Sequence, residues 1–168
     1  MPRSRLVLLA LAVGLFMAPV SLVWAEETEE LAKALKDTKV TLQDGLKTSE
    51  REGKPISAKF EIEHDALQLS VYTLKGNDFM EVVEDPKTGS IAKSEKITKG
   101  DDLKEAEEQK AAMKNAKTSL LAATEAAVKG NAGFRAVSVI PELRDGHPVA
   151  EVTLLQGTNA KKVLEKLD

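Results

Sequence analysis

Two histidines are the side chains of this 168-residue sequence that are best suited to acid–base or metal chemistry. His64 and His147 both have acidic residues nearby in the chain: Glu63 and Asp65 flank His64, and Glu142 and Asp145 precede His147. Imidazole and carboxylate groups are common ligands of divalent metal ions, so these clusters provide one hypothesis, a ligand or metal-ion sensor. Both histidines also lie in segments with the composition of tight turns, where a polar side chain facing water is the simpler interpretation.

The rest of the sequence offers little for catalysis. There is no cysteine, which excludes thiol nucleophiles, disulfides and cysteine-based metal sites. Ser57, Ser70 and Ser138 lack the flanking glycines of a nucleophile elbow, and the chain has no glycine-rich phosphate loop, so a hydrolase is the least supported hypothesis. We therefore predict that the protein is not an enzyme, and we assign it no catalytic, metal-binding or cofactor-binding residue and no cofactor.

Charge and composition limit the possible partners. The formal net charge is −3, and 4% of the residues are aromatic. Because the sequence has neither a basic stripe nor a set of stacking side chains, it predicts no nucleic-acid partner.

The first 25 residues have the pattern of a secretory signal peptide. Arg3 and Arg5 precede an apolar run over residues 6–20, and a Val-Trp-Ala triplet ends at Ala25. We predict cleavage between Ala25 and Glu26, an exported chain that is periplasmic or secreted, and no stable membrane insertion afterwards. An uncleaved membrane anchor is the alternative, since the apolar run approaches the roughly 20 residues that span a bilayer.

Alternating apolar and polar residues predict an antiparallel meander in the first half of the chain. Ile56, Ala58, Phe60 and Ile62 alternate with polar residues, as in a strand with one buried face. The strands are predicted at residues 56–63, 67–72, 79–83 and 90–97, with turns at 64–65, 75–78 and 85–89. A small sheet of this kind needs a cover for its apolar face.

Helical composition precedes each set of strands. Residues 27–39 and 42–52 are predicted helices, the second with Thr41 as its N-cap, and residues 101–129 are rich in Ala, Lys, Glu and Gln. Ser119 is a second candidate N-cap, which would divide this long segment into two helices. The strands that follow are predicted at residues 134–140, 148–155 and 160–167, the last of which has helical composition but the position of a strand.

The order of elements in the first half recurs in the second half, which predicts an internal repeat. Helix positions coincide at an offset of 78 residues, at which Ala58 and Ile62 of the first strand also match Ala136 and Ile140. Beyond the first turn the offset becomes 81, where Gly76 matches Gly157. The predicted fold class is therefore α+β, with two repeated units that each pack a helix on a three- to four-stranded antiparallel sheet. The first unit, with an N-terminal helix, is assigned to residues 26–98 and the second, shortened unit to 118–168, with a helical linker at 99–117.

The alternation also assigns faces to the second sheet. The predicted core face carries Phe134, Ala136, Ser138, Ile140, Ala150, Val152 and Leu154, and the other face carries Val137, Val139, Val149 and Leu155. A sheet that is apolar on both faces needs two covers. We expect the second cover to be the helix over residues 102–129, the first unit or a partner protein.

Several of these residues resemble the PepSY domain family, whose members are small modules of exported proteins. The resemblance rests on Val40–Leu42 at the start of a helix, on Gly53–Lys54 before the first strand, and on Gly76 in a hairpin turn. It also rests on residues 82–91, VVEDPKTGSI, which are similar to the family ending V-D-x-x-T-G-x-V, whereas Gly45 departs from the family's helix pattern. The resemblance implies a helix on an antiparallel sheet and a binding role, often inhibition of peptidases, with no catalytic residues.

We therefore predict an exported, non-enzymatic protein-binding module that recognises another envelope protein, a peptidase being one such partner. Binding would use surface complementarity or the addition of a strand at a sheet edge. The alternative is a periplasmic small-ligand or metal-ion sensor that uses the histidine and acid clusters of the hairpin turns. The oligomeric state is left open.

Overall fold

The computed structural model describes residues 20–168, with side chains from residue 26 onward, so the predicted signal peptide (residues 1–25) lies outside the fully described residues. The helices are α1 (Val20–Ala34), α2 (Leu42–Ser49), α3 (Gly100–Met113) and α4 (Leu120–Lys129), with a 3₁₀ turn at Leu35–Asp37. The strands are β1 (Lys54–Glu63), β2 (Ala66–Lys75), β3 (Asp78–Glu84), β4 (Ile91–Lys96), β5 (Arg135–Arg144), β6 (His147–Gln156) and β7 (Asn159–Lys166). Within this part of the chain, none of the helices has the length and apolar character needed to cross a membrane.

All seven strands form one antiparallel sheet in the order β4-β3-β2-β1-β5-β6-β7. Strands β1–β4 form one meander and β5–β7 another, and β7 confirms the strand predicted at residues 160–167. The two meanders join where β1 pairs with β5, with Ala58 opposite Val139 and Lys59 opposite Ser138. The α+β class and the antiparallel strands are therefore confirmed, but the strands of both predicted units share a single sheet.

Short polar side chains begin two of the helices at the predicted positions. The Thr41 hydroxyl accepts a hydrogen bond from the backbone N–H of Asp44, and the Asp44 carboxylate accepts one from the Thr41 N–H, which forms a capping box at the start of α2. The Ser119 hydroxyl accepts a hydrogen bond from the N–H of Ala122 at the start of α4. Ser119 thus divides the helical segment predicted at 101–129 into α3 and α4.

The helices cover both faces of the sheet. Helices α2 and α4 pack side by side on one face, where the Leu69 side chain lies directly under Gly45 of α2. Helix α3 crosses the opposite face, where Tyr72 donates a hydrogen bond of 2.9 Å to Asp102. Leu69 and Tyr72 are an odd number of positions apart on β2, so their side chains lie on opposite faces. The second cover of the sheet is therefore α3, a helix of the same chain.

A β-bulge at Val137 corrects the predicted faces of β5. The register of β5 against β6 shifts between Ala136 and Ser138, so Val137 is an extra residue without an opposite partner. Because the alternation restarts after the bulge, Val139 is a core residue and is fully buried, whereas Ile140 lies on the α3 face and is exposed. The prediction that Ser138 and Ile140 face the core while Val139 lies outside is therefore wrong.

The two meanders have the same register. Each pair between β1 and β2 recurs 81 residues later between β5 and β6, including the shift between Pro55 and Ser57, which matches the shift between Ala136 and Ser138. Ala58 therefore corresponds to Val139, and the offset of 78 residues predicted for the first strand is wrong. The innermost pair of the second hairpin follows the same offset, since Lys75 pairs with Asp78 as Gln156 pairs with Asn159.

The packing beneath α2 explains why Gly45 departs from the family's helix pattern. A methyl group at Gly45 would overlap the Leu69 side chain, so only glycine fits under this leucine. Gly45 corresponds to Ala123 of α4 at the offset of 78 residues, and Leu69 corresponds to Ala150 of β6 at the offset of 81 residues. Both alanines are buried.

Candidate functional site

Helix α3 lies across the sheet and leaves a groove along each of its flanks. The acidic groove has a volume of about 550 Å³ and is lined by Glu105, Glu108, Gln109, Ala111, Ile140, Pro141, Glu142 and Leu143. The basic groove has a volume of about 540 Å³ and is lined by Lys54, Ile56, Leu74, Phe79, Glu107, Lys110, Ala111, Met113 and Lys114. Each groove combines apolar side chains with a charged rim, and the two rims have opposite signs.

The apolar side chains of the acidic groove are exposed. Ile140 and Leu143 are 39% and 52% exposed, and Leu164 of β7 is 45% exposed. Among the described residues these three are the exposed large apolar side chains, and all of them lie in the β5–β7 half of the sheet. A cluster of exposed apolar side chains is typical of a binding surface, whereas single scattered ones need no explanation.

The basic groove is closed by its own side chains. Ile56, Phe79 and Met113 are no more than 8% exposed, and Lys110 Nζ lies 5.5 Å from the centre of the Phe79 ring. The ammonium group is attracted to the aromatic face, and the aliphatic stem of the lysine covers apolar surface. The apolar surface of the basic groove is therefore comparable in extent to that of the acidic groove, but it comes from buried core side chains, whereas Ile140 and Leu143 are exposed.

A smaller space, the inner cavity, lies beneath α3 where the two meanders join. It has a volume of about 220 Å³ and is lined by Ser57, Ala58, Lys59, Ser70, Tyr72, Glu105, Gln109 and Ile140. Glu105, Gln109 and Ile140 also line the acidic groove, so the two spaces are neighbours. Gln109 is 6% exposed, and its Oε1 has no hydrogen-bond partner. A buried carbonyl oxygen without a donor is unfavourable, and a donor bound in either space would satisfy it.

Carboxylates dominate the sheet surface beside the inner cavity. Lys59 forms an ion pair of 2.7 Å with Glu61, and the Tyr72 hydroxyl donates a hydrogen bond to Asp102. Burial, together with the negative charge of neighbouring carboxylates, raises the pKa of Glu81. The surface thus carries more negative charge than Lys59 neutralises, which favours a cationic ligand.

The structure does not bring the two histidines together. Strands β1 and β5 pair antiparallel near their centres, so the turns that follow them lie at opposite ends of the sheet. The His64 side chain is 91% exposed, and His147 Nδ1 lies 2.7 Å from Asp168 Oδ2. In the described part of the chain, no group of three or more His, Asp or Glu side chains could hold a metal ion. Ser57 and Ser70 line the inner cavity, which neither histidine lines.

Glu84 is a buried acid that the sequence analysis did not single out. It lies at the end of β3, is fully buried, and neither of its carboxyl oxygens has a hydrogen-bond partner. Burial raises the pKa of Glu84 to about 8, against the opposing attraction of Arg51. Its position two residues after the buried Val82 in an alternating strand was the available signal that it faces inward. Glu84 lines neither groove, so its effect is on stability.

The segment that carries the PepSY resemblance forms the turn between β3 and β4. Asp85 Oδ1 accepts hydrogen bonds from the backbone N–H groups of Lys87 and Thr88, at 2.8 and 2.9 Å. Gly89 has a φ of 70°, in the left-handed region that glycine adopts at little cost. These residues therefore stabilise a turn, and they line neither groove nor the inner cavity.

Comparison with known proteins gives a distant structural similarity and no family. No protein-family model matches the chain, and no curated protein matches it. A solved structure of a "putative lipoprotein" from Clostridium difficile 630 aligns with 83% of this chain and 93% of its own length, at 16% sequence identity and a TM-score of 0.41. A similarity at this level carries no argument about function, and the PepSY resemblance stays a prediction from the sequence.

Proposed function

We propose that the protein is an exported, non-enzymatic module that binds another protein of the cell envelope through the acidic groove. The observation that carries this proposal is the exposure of Ile140 and Leu143 beside α3, between carboxylates at the rim of the groove. An apolar centre with a polar rim is the usual anatomy of a protein interface.

Surface complementarity accounts for such binding better than strand addition does. The edge strands β4 and β7 carry five lysines, namely Lys93, Lys96, Lys161, Lys162 and Lys166. Lysines on an edge strand oppose pairing with a further strand. We therefore assign the partner to the groove beside α3 rather than to a sheet edge.

We further propose that the chain consists of two PepSY-like units, at residues 26–98 and 118–168. Support comes from the 81-residue register of the two meanders and from the bulge that they share. In this proposal the segment 99–117 contains α3 and covers the junction of the units. A peptidase is the class of partner that the resemblance implies, with inhibition or local control of its activity as the outcome.

Capture from an envelope extract of the source organism tests the binding surface. The purified protein is immobilised as wild type and as the Ile140→Ser/Leu143→Ser variant, and the retained proteins are identified and assayed for peptidase activity. We expect a saturable partner whose affinity falls by about tenfold or more in the double variant, because two exposed apolar side chains are lost.

Leu164→Ser is the matched control for this experiment, because Leu164 is similarly exposed but lies on β7 outside the groove. The control variant should retain the partner at wild-type affinity. Equal losses in both variants, or full binding by the double variant, would exclude the acidic groove as the binding surface.

A further inference from the structure

We infer that the partner presents an arginine flanked by apolar residues, and that its guanidinium group enters the inner cavity from the acidic groove. This inference rests on the proposed function and specifies the chemistry of the segment that the groove recognises.

The rim of the acidic groove is suited to a cation. No lysine or arginine lines this groove, whereas three carboxylates do. Glu142 pairs with Arg144, but Glu105 and Glu108 form no salt bridge within the described part of the chain, and both are exposed. Two carboxylates without a salt-bridge partner beside exposed apolar surface favour a positively charged segment that also carries apolar side chains.

Gln109 provides a second, independent observation. Within the described residues its side chain makes no hydrogen bond, although Gln109 is almost fully buried and lines both the inner cavity and the acidic groove. Most buried side-chain oxygens in folded proteins have a donor, so this one is matched to a donor that the chain itself does not supply. An N–H group of the partner would be that donor.

The acceptors of the inner cavity favour arginine over lysine. Gln109 Oε1, the Glu105 carboxylate and the Ser57 hydroxyl group line the same small space. Lys59 also lines it, but its ammonium group is paired with Glu61 at 2.7 Å. A guanidinium group has five N–H donors in one plane and can satisfy several acceptors at once, whereas an ammonium group is a compact charge with three donors. The aliphatic stem of the arginine would pack on Ile140, which lines both spaces.

The apolar part of the inference follows from the adjacent surface. Ile140, Pro141 and Leu143 all line the acidic groove, and Ile140 and Leu143 are 39% and 52% exposed. Apolar residues next to the arginine in sequence would cover them. The basic groove on the other flank has a rim of the opposite charge and would attract an acidic segment instead.

Calorimetric titration with four capped pentapeptides tests this inference. Each peptide has two isoleucines around a central residue, which is arginine, lysine, citrulline or glutamate, and each is titrated into the purified protein. We expect saturable binding of the arginine peptide. The lysine peptide should bind at least about threefold more weakly than the arginine peptide. The citrulline peptide, which keeps the shape of arginine without its charge, should bind at least about tenfold more weakly. The glutamate peptide should not bind.

Variants on the two flanks of α3 locate the site. Glu105→Gln should lower the affinity for the arginine peptide by about tenfold. Gln109→Leu should reduce the preference for the arginine peptide over the citrulline peptide by about threefold or more. Glu107→Gln is the matched control, because Glu107 lies on α3 but lines the basic groove, and it should bind as wild type does. Thermal unfolding verifies that the fold is retained: Glu105→Gln and Glu107→Gln should unfold as the wild type does, and Gln109→Leu should unfold at no lower temperature, because it removes a buried oxygen without a donor.

Equal affinity for the arginine and citrulline peptides would overturn the inference, as would equal losses in Glu105→Gln and Glu107→Gln. The inference also fails, while the proposed function stands, if envelope capture finds a partner that depends on Ile140 and Leu143 but no peptide binds up to about 1 mM. If the arginine peptide binds as expected and no groove-dependent envelope protein is found, the arginine site stands and the proposed function fails.

Discussion

Glu84→Gln is expected to stabilise the protein at pH 8 and to have a much smaller effect at pH 5. Burial raises the pKa of Glu84 from 4.5 to about 8 in the folded protein. Between these values the folded protein keeps a proton that the unfolded chain releases, so the free energy of unfolding falls as the pH rises. Glutamine has the size of the protonated acid and does not ionise, so it lacks this dependence.

The size of the effect follows from the shift. Each pH unit between 4.5 and 8 removes about 1.4 kcal/mol from the free energy of unfolding, with an upper limit of about 5 kcal/mol over the whole range. The advantage of the Glu84→Gln variant over the wild type should grow at this rate from pH 5 upward. Above pH 8 both states of the wild type are ionised, so the advantage should become constant.

Urea unfolding followed by circular dichroism, in steps of half a pH unit from 5 to 9, measures this difference. Glu165→Gln is the matched control, because Glu165 occupies the corresponding position of β7 at the 81-residue offset and is only half-buried. Its difference from the wild type should vary little with pH. Parallel profiles of the wild type and the Glu84→Gln variant would refute the reasoning, because they would mean that Glu84 ionises freely in the folded protein.

Two further predictions concern packing, and urea unfolding measures both. Gly45→Ala should lower the free energy of unfolding by about 1–3 kcal/mol, because the added methyl group overlaps the Leu69 side chain. In a double-mutant cycle, Leu69→Ala should relieve part of this loss. Additive effects of the two substitutions would contradict the packing. Arg135→Leu should cost about 2–3 kcal/mol, because Arg135 donates hydrogen bonds to two backbone carbonyls in the segment 35–40. Arg144→Leu is the control: it removes exposed ion pairs and should lower the free energy of unfolding by less than about 1 kcal/mol. Equal losses in the two variants would mean that Arg135 does not anchor the segment 35–40.

The secondary structure could be predicted from the sequence because its determinants are local. Thr41 and Ser119 cap helices through bonds to residues three positions away, and the alternation of apolar residues gives the strands of each meander. The bulge at Val137 could not be predicted in this way, because a β-branched residue suits a regular strand equally well. The faces of β5 after that point were therefore wrong, and the exposed Ile140 was assigned to the core.

The candidate site was missed for a related reason, since it depends on how distant segments meet. Gln109 lies in a segment with the composition of a solvated helix, and the small apolar residues at three positions on either side of it, Ala106 and Ala112, give only a weak signal of a buried face. Its environment is fixed by the position of α3 on the sheet. The grooves arise from this placement, which depends on long-range packing rather than on helix propensity.

The inner cavity belongs to the junction of the two meanders and to neither meander alone. In the described chain, β1 and β5 pair at only two positions, Ala58 with Val139 and Lys59 with Ser138, and each strand has a bulge just before this contact. Bulges bend a strand and increase its twist, so a short contact between two bulged strands leaves space beneath the helix that crosses it. The cavity accordingly takes its lining from β1, β2, β5 and α3 together. Any ligand specificity at this place therefore depends on both meanders and on α3.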